Sequence, residues 1–145
     1  MATLHLVVGI AVLVANLAAG VLGGLAWFRD RPSVVFWYVL RTAQALVVLQ
    51  LLLGTLLLIA GHEAPGDLHY LYGVLPLAVT LLAEGMRAGA SERELEGVDF
   101  DSLPVDRQRR FANAIVRRET GIMAVSVWVV VFLALRAAGT SGHLF

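Results

Sequence analysis

The sequence predicts an all-α, polytopic membrane protein: four transmembrane helices in one antiparallel bundle, with both termini outside. Three observations carry that expectation. The 145 residues are 59% hydrophobic and only 15% charged, and the mean hydropathy is +0.79. A soluble domain has roughly 45–50% apolar and about 25% charged residues, so that class is excluded. Four apolar stretches, 4–28, 34–60, 68–86 and 111–138, each approach or exceed the roughly 20 helical residues that a hydrocarbon core about 30 Å thick requires. The arginines are one-sided: Arg29, Arg31, Arg87, Arg93, Arg107, Arg109, Arg110, Arg117 and Arg118 fall between or beside alternate stretches, with only Arg136 at the opposite end. By the positive-inside rule the arginine-rich end is cytoplasmic. The termini and the 61–67 loop then face outward, in a single 1–145 domain of a cell membrane.

The first stretch has no basic leading region, an apolar run longer than about 15 residues and no clean small-residue cleavage site, and reads as a retained helix rather than a signal peptide. Its polar and small residues, His5, Gly9, Asn16, Gly20 and Gly23, form one stripe suited to close helix packing. In the second stretch Arg41 and Gln44 share a face near the cytoplasmic end, while Gln50 and Gly54 lie roughly opposite. One of these faces is expected to serve the bundle and the other a second subunit or a ligand. Arg41 lies about two turns into the span, where an arginine costs a few kcal/mol unless it is paired. Glu84 or Glu119, at similar depth, is the expected partner.

In the third stretch His69, Tyr72, Gly73, Pro76, Thr80, Glu84 and Arg87 lie within about 60° of one line at helical spacing. Lipid offers these groups no hydrogen bonds, so the stripe should face the bundle. Between the third and fourth stretches, 88–110 is the largest extramembrane piece. Ser91 followed by Glu94 reads as a capping box opening a short helix through Glu96. Pro104, preceded by Asp101 and Ser102, suits the first turn of a helix that continues through Arg107, Arg109, Arg110, Arg117 and Arg118 into the membrane. Acids early and arginines late in this segment suit headgroup contact.

Eleven arginines balance eleven acids, lysine is absent and there is no cysteine. These facts give no case for a nucleic-acid partner and exclude disulfides and thiolate metal sites. No nucleophile–base pair, phosphate loop or metalloprotease motif is present, so no catalytic residue is assigned. Four histidines remain. His62 and His143 fall in a loop and a tail. The 61–69 run GHEAPGDLH carries His62, Glu63, Asp67 and His69, but its spacing matches no compact ligand motif.

His5 and His69 differ from the other two. Each lies about one turn inside the outer end of its helix, at matched depth and on the inward stripe. Two imidazoles facing each other across a bundle can ligate a haem from both sides. Gly9 and Gly73, one turn further in, would leave room for the macrocycle, and Arg136 could pair with a propionate.

The run LQLLLGTLLL (49–58), a short outer loop and LHYLYG (68–73) resemble part of one half of the heme A synthase membrane bundle. In that family a glutamine–glycine helix leads through an outer loop to a helix opening with a haem-ligating histidine. Gln50, Gly54 and His69 match these positions, and His5 matches the histidine that begins the preceding helix. The resemblance covers residues 4–85. It includes neither the family's second half nor its loop with a catalytic acid and cysteines, and the RRET start at 117–120 has no counterpart there. It implies haem b binding without the family's haem-oxidising reaction.

The functional expectation is therefore a membrane haem b protein, with one bis-histidine site in the outer half of the bundle serving electron transfer or haem handling. Gln50 would support that site from behind the ligands. Two alternatives stand beside it: a non-catalytic structural or assembly subunit of a membrane complex, and a small oligomeric transporter or channel using the polar stripe of the third helix. The lipid bilayer is the common partner in all three.

Overall fold

The computed structural model describes residues 2–64 and 66–140. Four long helices dominate: α1 (Ala2–Phe28), α2 (Val34–Ile59), α3 (Asp67–Leu95) and α4 (Val105–Gly139), with a 3-10 turn at Phe100–Ser102. No strand occurs among the described residues. All four helices are long and apolar enough to cross a membrane, as expected from the sequence. At 29 and 35 residues, α3 and α4 are about 43 and 52 Å long, so both outrun a hydrocarbon core of about 30 Å.

The connections follow local chemistry. Asp30 takes a positive φ of 51° while the Arg31 amide bonds back to the Ala26 carbonyl at 3.0 Å. Ser33 then opens α2, its hydroxyl accepting from the Phe36 amide at 3.2 Å. Gly61 and Gly97, with φ of 80° and 72°, occupy left-handed positions just beyond α2 and α3, where a side chain is disfavoured. Ahead of α4, the Gln108 amide ties down the Phe100 and Leu103 carbonyls at 3.1 and 3.2 Å.

The separate helix expected to open at Ser91 does not form. Residues 67–95 are one continuous helix, because the sequence from Met86 to Ala90 contains no proline or left-handed break. The Ser91 hydroxyl donates to the Ala88 carbonyl instead of capping an amide. Pro104 is the cap residue of α4, and the helix does run unbroken from Val105 through the arginines into its apolar part.

α1 packs between α2 and α4, α3 packs along α4, and the α2–α3 seam is the thinnest side of the bundle. Two core clusters stack along the axis. One, near the arginine-rich end, contains Ala19, Phe36, Leu40, Ala83, Met123 and Val127. The other, towards the histidine end, contains Val8, Val12, Val47, Leu53 and Val130. The α1 stripe does face inward: Asn16, Gly20 and Gly23 are buried, and the Asn16 amide donates to the Val12 carbonyl at 2.8 Å.

Close approach is the reason for glycine on α1. A Cβ on Gly23 would lie 2.5 Å from the Phe36 ring, whereas one on Gly24 would meet nothing within 4 Å. Gly23→Ala is therefore expected to destabilise the protein by about 1–3 kcal/mol through overpacking. Gly24→Ala should be neutral or stabilising by up to about 1 kcal/mol through helix propensity. Thermal unfolding of both variants in detergent checks the contrast.

Candidate functional site

An up-down bundle places the starts of α1 and α3 and the ends of α2 and α4 at the same end, so each helix can supply a group there. His5 and His69 come from the first turns of α1 and α3, and their ring centroids lie 6.3 Å apart with planes inclined at 60°. The chain thus brings together two residues that are 64 positions apart.

Both rings are fixed by neighbours. His69 Nδ1 is 3.1 Å from the Ala137 carbonyl in the last turn of α4. A carbonyl only accepts, so Nδ1 carries a proton, and it is the neutral ring that would have its lone pair on Nε2. His5 Nε2 is 3.2 Å from the Gln50 amide nitrogen of α2. An amide nitrogen only donates, so His5 Nε2 accepts and its proton lies on Nδ1. In this arrangement His5 Nδ1 and Gln50 Oε1 are buried without a partner among the described residues. Each such orphan costs about 1–3 kcal/mol, so the pocket is short of polar partners.

The glycines divide into distinct roles. A Cβ on Gly9 would be 3.0 Å from Gln50 Nε2, so Gly9 seats the glutamine that reaches His5. A Cβ on Gly54 would be 3.2 Å from His5 Cε1, so Gly54 admits the His5 ring against α2. A Cβ on Gly73 would meet nothing within 4 Å, leaving open space one turn inward from His69. Arg136 stacks over Tyr72 with its guanidinium carbon 5.5 Å from the ring centre, one residue from the carbonyl that holds His69. His62 is exposed, and His143 lies outside the described residues. Among the described residues no group of three His, Asp or Glu side chains gathers to hold a metal ion.

A second polar cluster lies towards the arginine-rich end. Glu84 Oε1 accepts from Arg41 at 2.6 Å and from Gln44 at 2.7 Å, and its Oε2 accepts from Arg87 at 2.9 Å. Arg87 Nη1 also approaches Glu119 at 3.8 Å and sits 5.9 Å from the Trp37 ring centre. Glu84 is thus the partner of Arg41. The α2 residues expected to serve two separate partners instead meet two neighbours in one bundle: Gln50 reaches α1, and Arg41 with Gln44 reaches α3.

Sequence reasoning did not find the Ala137 carbonyl, because a backbone acceptor has no residue signature. It also missed the Gly20 seat for Trp128, where a Cβ would lie 3.0 Å from the indole. No family model, curated protein or solved structure matches this chain.

Proposed function

We propose that the chain is a small membrane haem b protein whose axial ligands are His5 and His69. The observation that carries the reading is the 6.3 Å separation of their rings across the bundle. Two imidazoles at that distance could both reach one metal centre lying between them. Among the described residues two protein ligands converge, which suits a macrocycle that brings four nitrogens of its own and does not suit a bare tetrahedral ion.

The neighbouring groups fit such a group. The His69 Nδ1–H is held by a carbonyl, as in ligating histidines generally, which would leave Nε2 of the neutral ring as the ligating nitrogen. His5 would ligate through Nε2 once the Gln50 amide gives that nitrogen up, and Gln50 would then orient the ring by accepting from the His5 Nδ1–H through Oε1, pairing two groups that have no partner here. Gly73 and the thin α2–α3 seam leave space beside the rings, and Arg136 supplies the cation for a propionate. Bound there, haem would supply a one-electron couple at the end of the bundle opposite the arginine-rich one.

The test is the visible spectrum of the detergent-purified protein, expressed with added haem precursor and measured oxidised and reduced. A six-coordinate low-spin spectrum supports the reading. A colourless protein overturns it in favour of an accessory subunit.

The same reading places both termini, and hence the haem, on the extracytoplasmic side, on the strength of the arginine bias. Single cysteines introduced at Thr3 and Ser91 should label from opposite sides of intact cells, with only Thr3→Cys reached by an impermeant reagent. Labelling of Ser91→Cys alone would reverse the topology.

A further inference from the structure

Towards the arginine-rich end, α1, α3 and α4 leave an open trough of about 830 Å³ between them. Val79, Leu82, Met86, Ile122 and Val125 line its sides, and Ala83 and Gly121 form part of its floor. Leu82 and Val125 are mostly exposed, so the trough opens sideways to whatever surrounds the helices. Along α4 it runs into a second, more polar hollow. The two share Ala114, and the second is lined by Glu94, Arg107, Arg110 and Phe111. Arg107, Arg110, Ala114, Arg117, Gly121 and Val125 recur at three- and four-residue intervals, so one face of α4 changes from basic to apolar along its length.

The charges along this face are unequally matched. Arg117 is paired with Asp30 at 2.6 Å, and Arg118 with Glu94 at 2.7 Å. Arg107 and Arg110 have no acidic partner among the described residues, although both are exposed. The carboxylate of the second hollow, Glu94, is the one already committed to Arg118. Trp27 of α1 lies over Gly121, its Nε1 being 2.9 Å from where a Cβ would stand. No acceptor for that indole N–H occurs among the described residues. The face therefore joins an apolar channel at membrane depth to two unmatched cations and a free donor.

We infer that this face is a seat for an anionic phospholipid, with an acyl chain in the α3–α4 trough and the phosphate at Arg110 and Arg107. Charge complementarity selects an anionic headgroup over a zwitterionic one, and the apolar trough selects a lipid over a free anion. A juxtamembrane arginine adds about 1 kcal/mol of attraction to an anionic surface, so two unmatched arginines should favour phosphatidylglycerol over phosphatidylcholine by about thirtyfold. The inference is independent of the histidine site.

Lipid binding is measured by native mass spectrometry and by thermal stabilisation of the full chain in neutral detergent. The probes are phosphatidylglycerol and phosphatidylcholine with identical chains, and inorganic phosphate. The unaltered protein should prefer phosphatidylglycerol about thirtyfold. Arg107→Gln/Arg110→Gln should bind the two lipids equally. Val125→Trp, which fills the trough, should weaken both, and phosphate alone should not stabilise. Equal binding of the two lipids by the unaltered protein, or a preference that survives the double arginine change, overturns the proposal. So does stabilisation by phosphate equal to that by phosphatidylglycerol, which would mean an anion site only.

Discussion

His69→Ala and His5→Ala are each expected to abolish the low-spin spectrum of the haem-loaded protein. Two imidazoles are needed to complete six-coordination, so loss of either leaves at most a five-coordinate haem that is more weakly held. His62→Ala should leave the spectrum unchanged, because that side chain is exposed beyond the end of α2. Gln50→Leu gives the intermediate case. Removing an orienting hydrogen bond from a ligand typically weakens binding tenfold to about a hundredfold without abolishing it. Haem titration followed in the Soret band separates these outcomes. Retention of the full low-spin spectrum by His5→Ala would remove His5 from the ligand set and with it the bis-histidine proposal.

Loss of the Glu84 carboxylate is expected to be the most destabilising single change at the other end of the bundle. Glu84 accepts from Arg41, Gln44 and Arg87, so Glu84→Leu takes the carboxylate from two cations and an amide at once, leaving Arg41 the Gln44 carbonyl oxygen and Arg87 its 3.8 Å contact with Glu119. Breaking a fully buried pair from one side costs about 3–5 kcal/mol. The Arg41 side chain is 50% exposed and that of Glu84 25% exposed, which reduces the expectation to about 2–3 kcal/mol. Arg41→Met should cost less, since Arg87 and Gln44 still satisfy the carboxylate. Combining Arg41→Met with Glu84→Leu should cost less than the sum of the two singles, because the arginine stranded by the second change is already gone. Denaturation of the four proteins in the same detergent measures this coupling. Simple additivity would show that Arg41 and Glu84 do not support each other.

The Glu84 cluster and the histidine site were legible in the sequence to different extents. Arg41 inside an apolar stretch demanded a carboxylate at its own depth, and that requirement alone narrowed the choice to Glu84 and Glu119. Packing chose Glu84 and gave Glu119 a longer contact with Arg87. The histidines were legible as a matched pair because an antiparallel bundle equates depth with distance from the helix ends. Nothing local indicated that Gly9 would seat the Gln50 amide or that Gly54 would admit the His5 ring. Both depend on the rotation of α1 against α2. Ser91 shows the converse, a local capping signal overridden by the helix that runs through it.

What the sequence by itself determined was the set of elements and their inward faces. Four apolar stretches and the stripes on the first and third of them follow from the cost of leaving polar groups in hydrocarbon, which acts on each helix separately. What only the tertiary structure decided was which groups meet: His5 with Gln50 and Gly54, His69 with the Ala137 carbonyl, Glu84 with both Arg41 and Arg87, and Trp27 with Gly121. Those pairings depend on helix rotation and axial offset. Both are set by side-chain packing between segments distant in the chain, such as Phe36 against Gly23 and Trp128 against Gly20, and no periodicity within one helix encodes them.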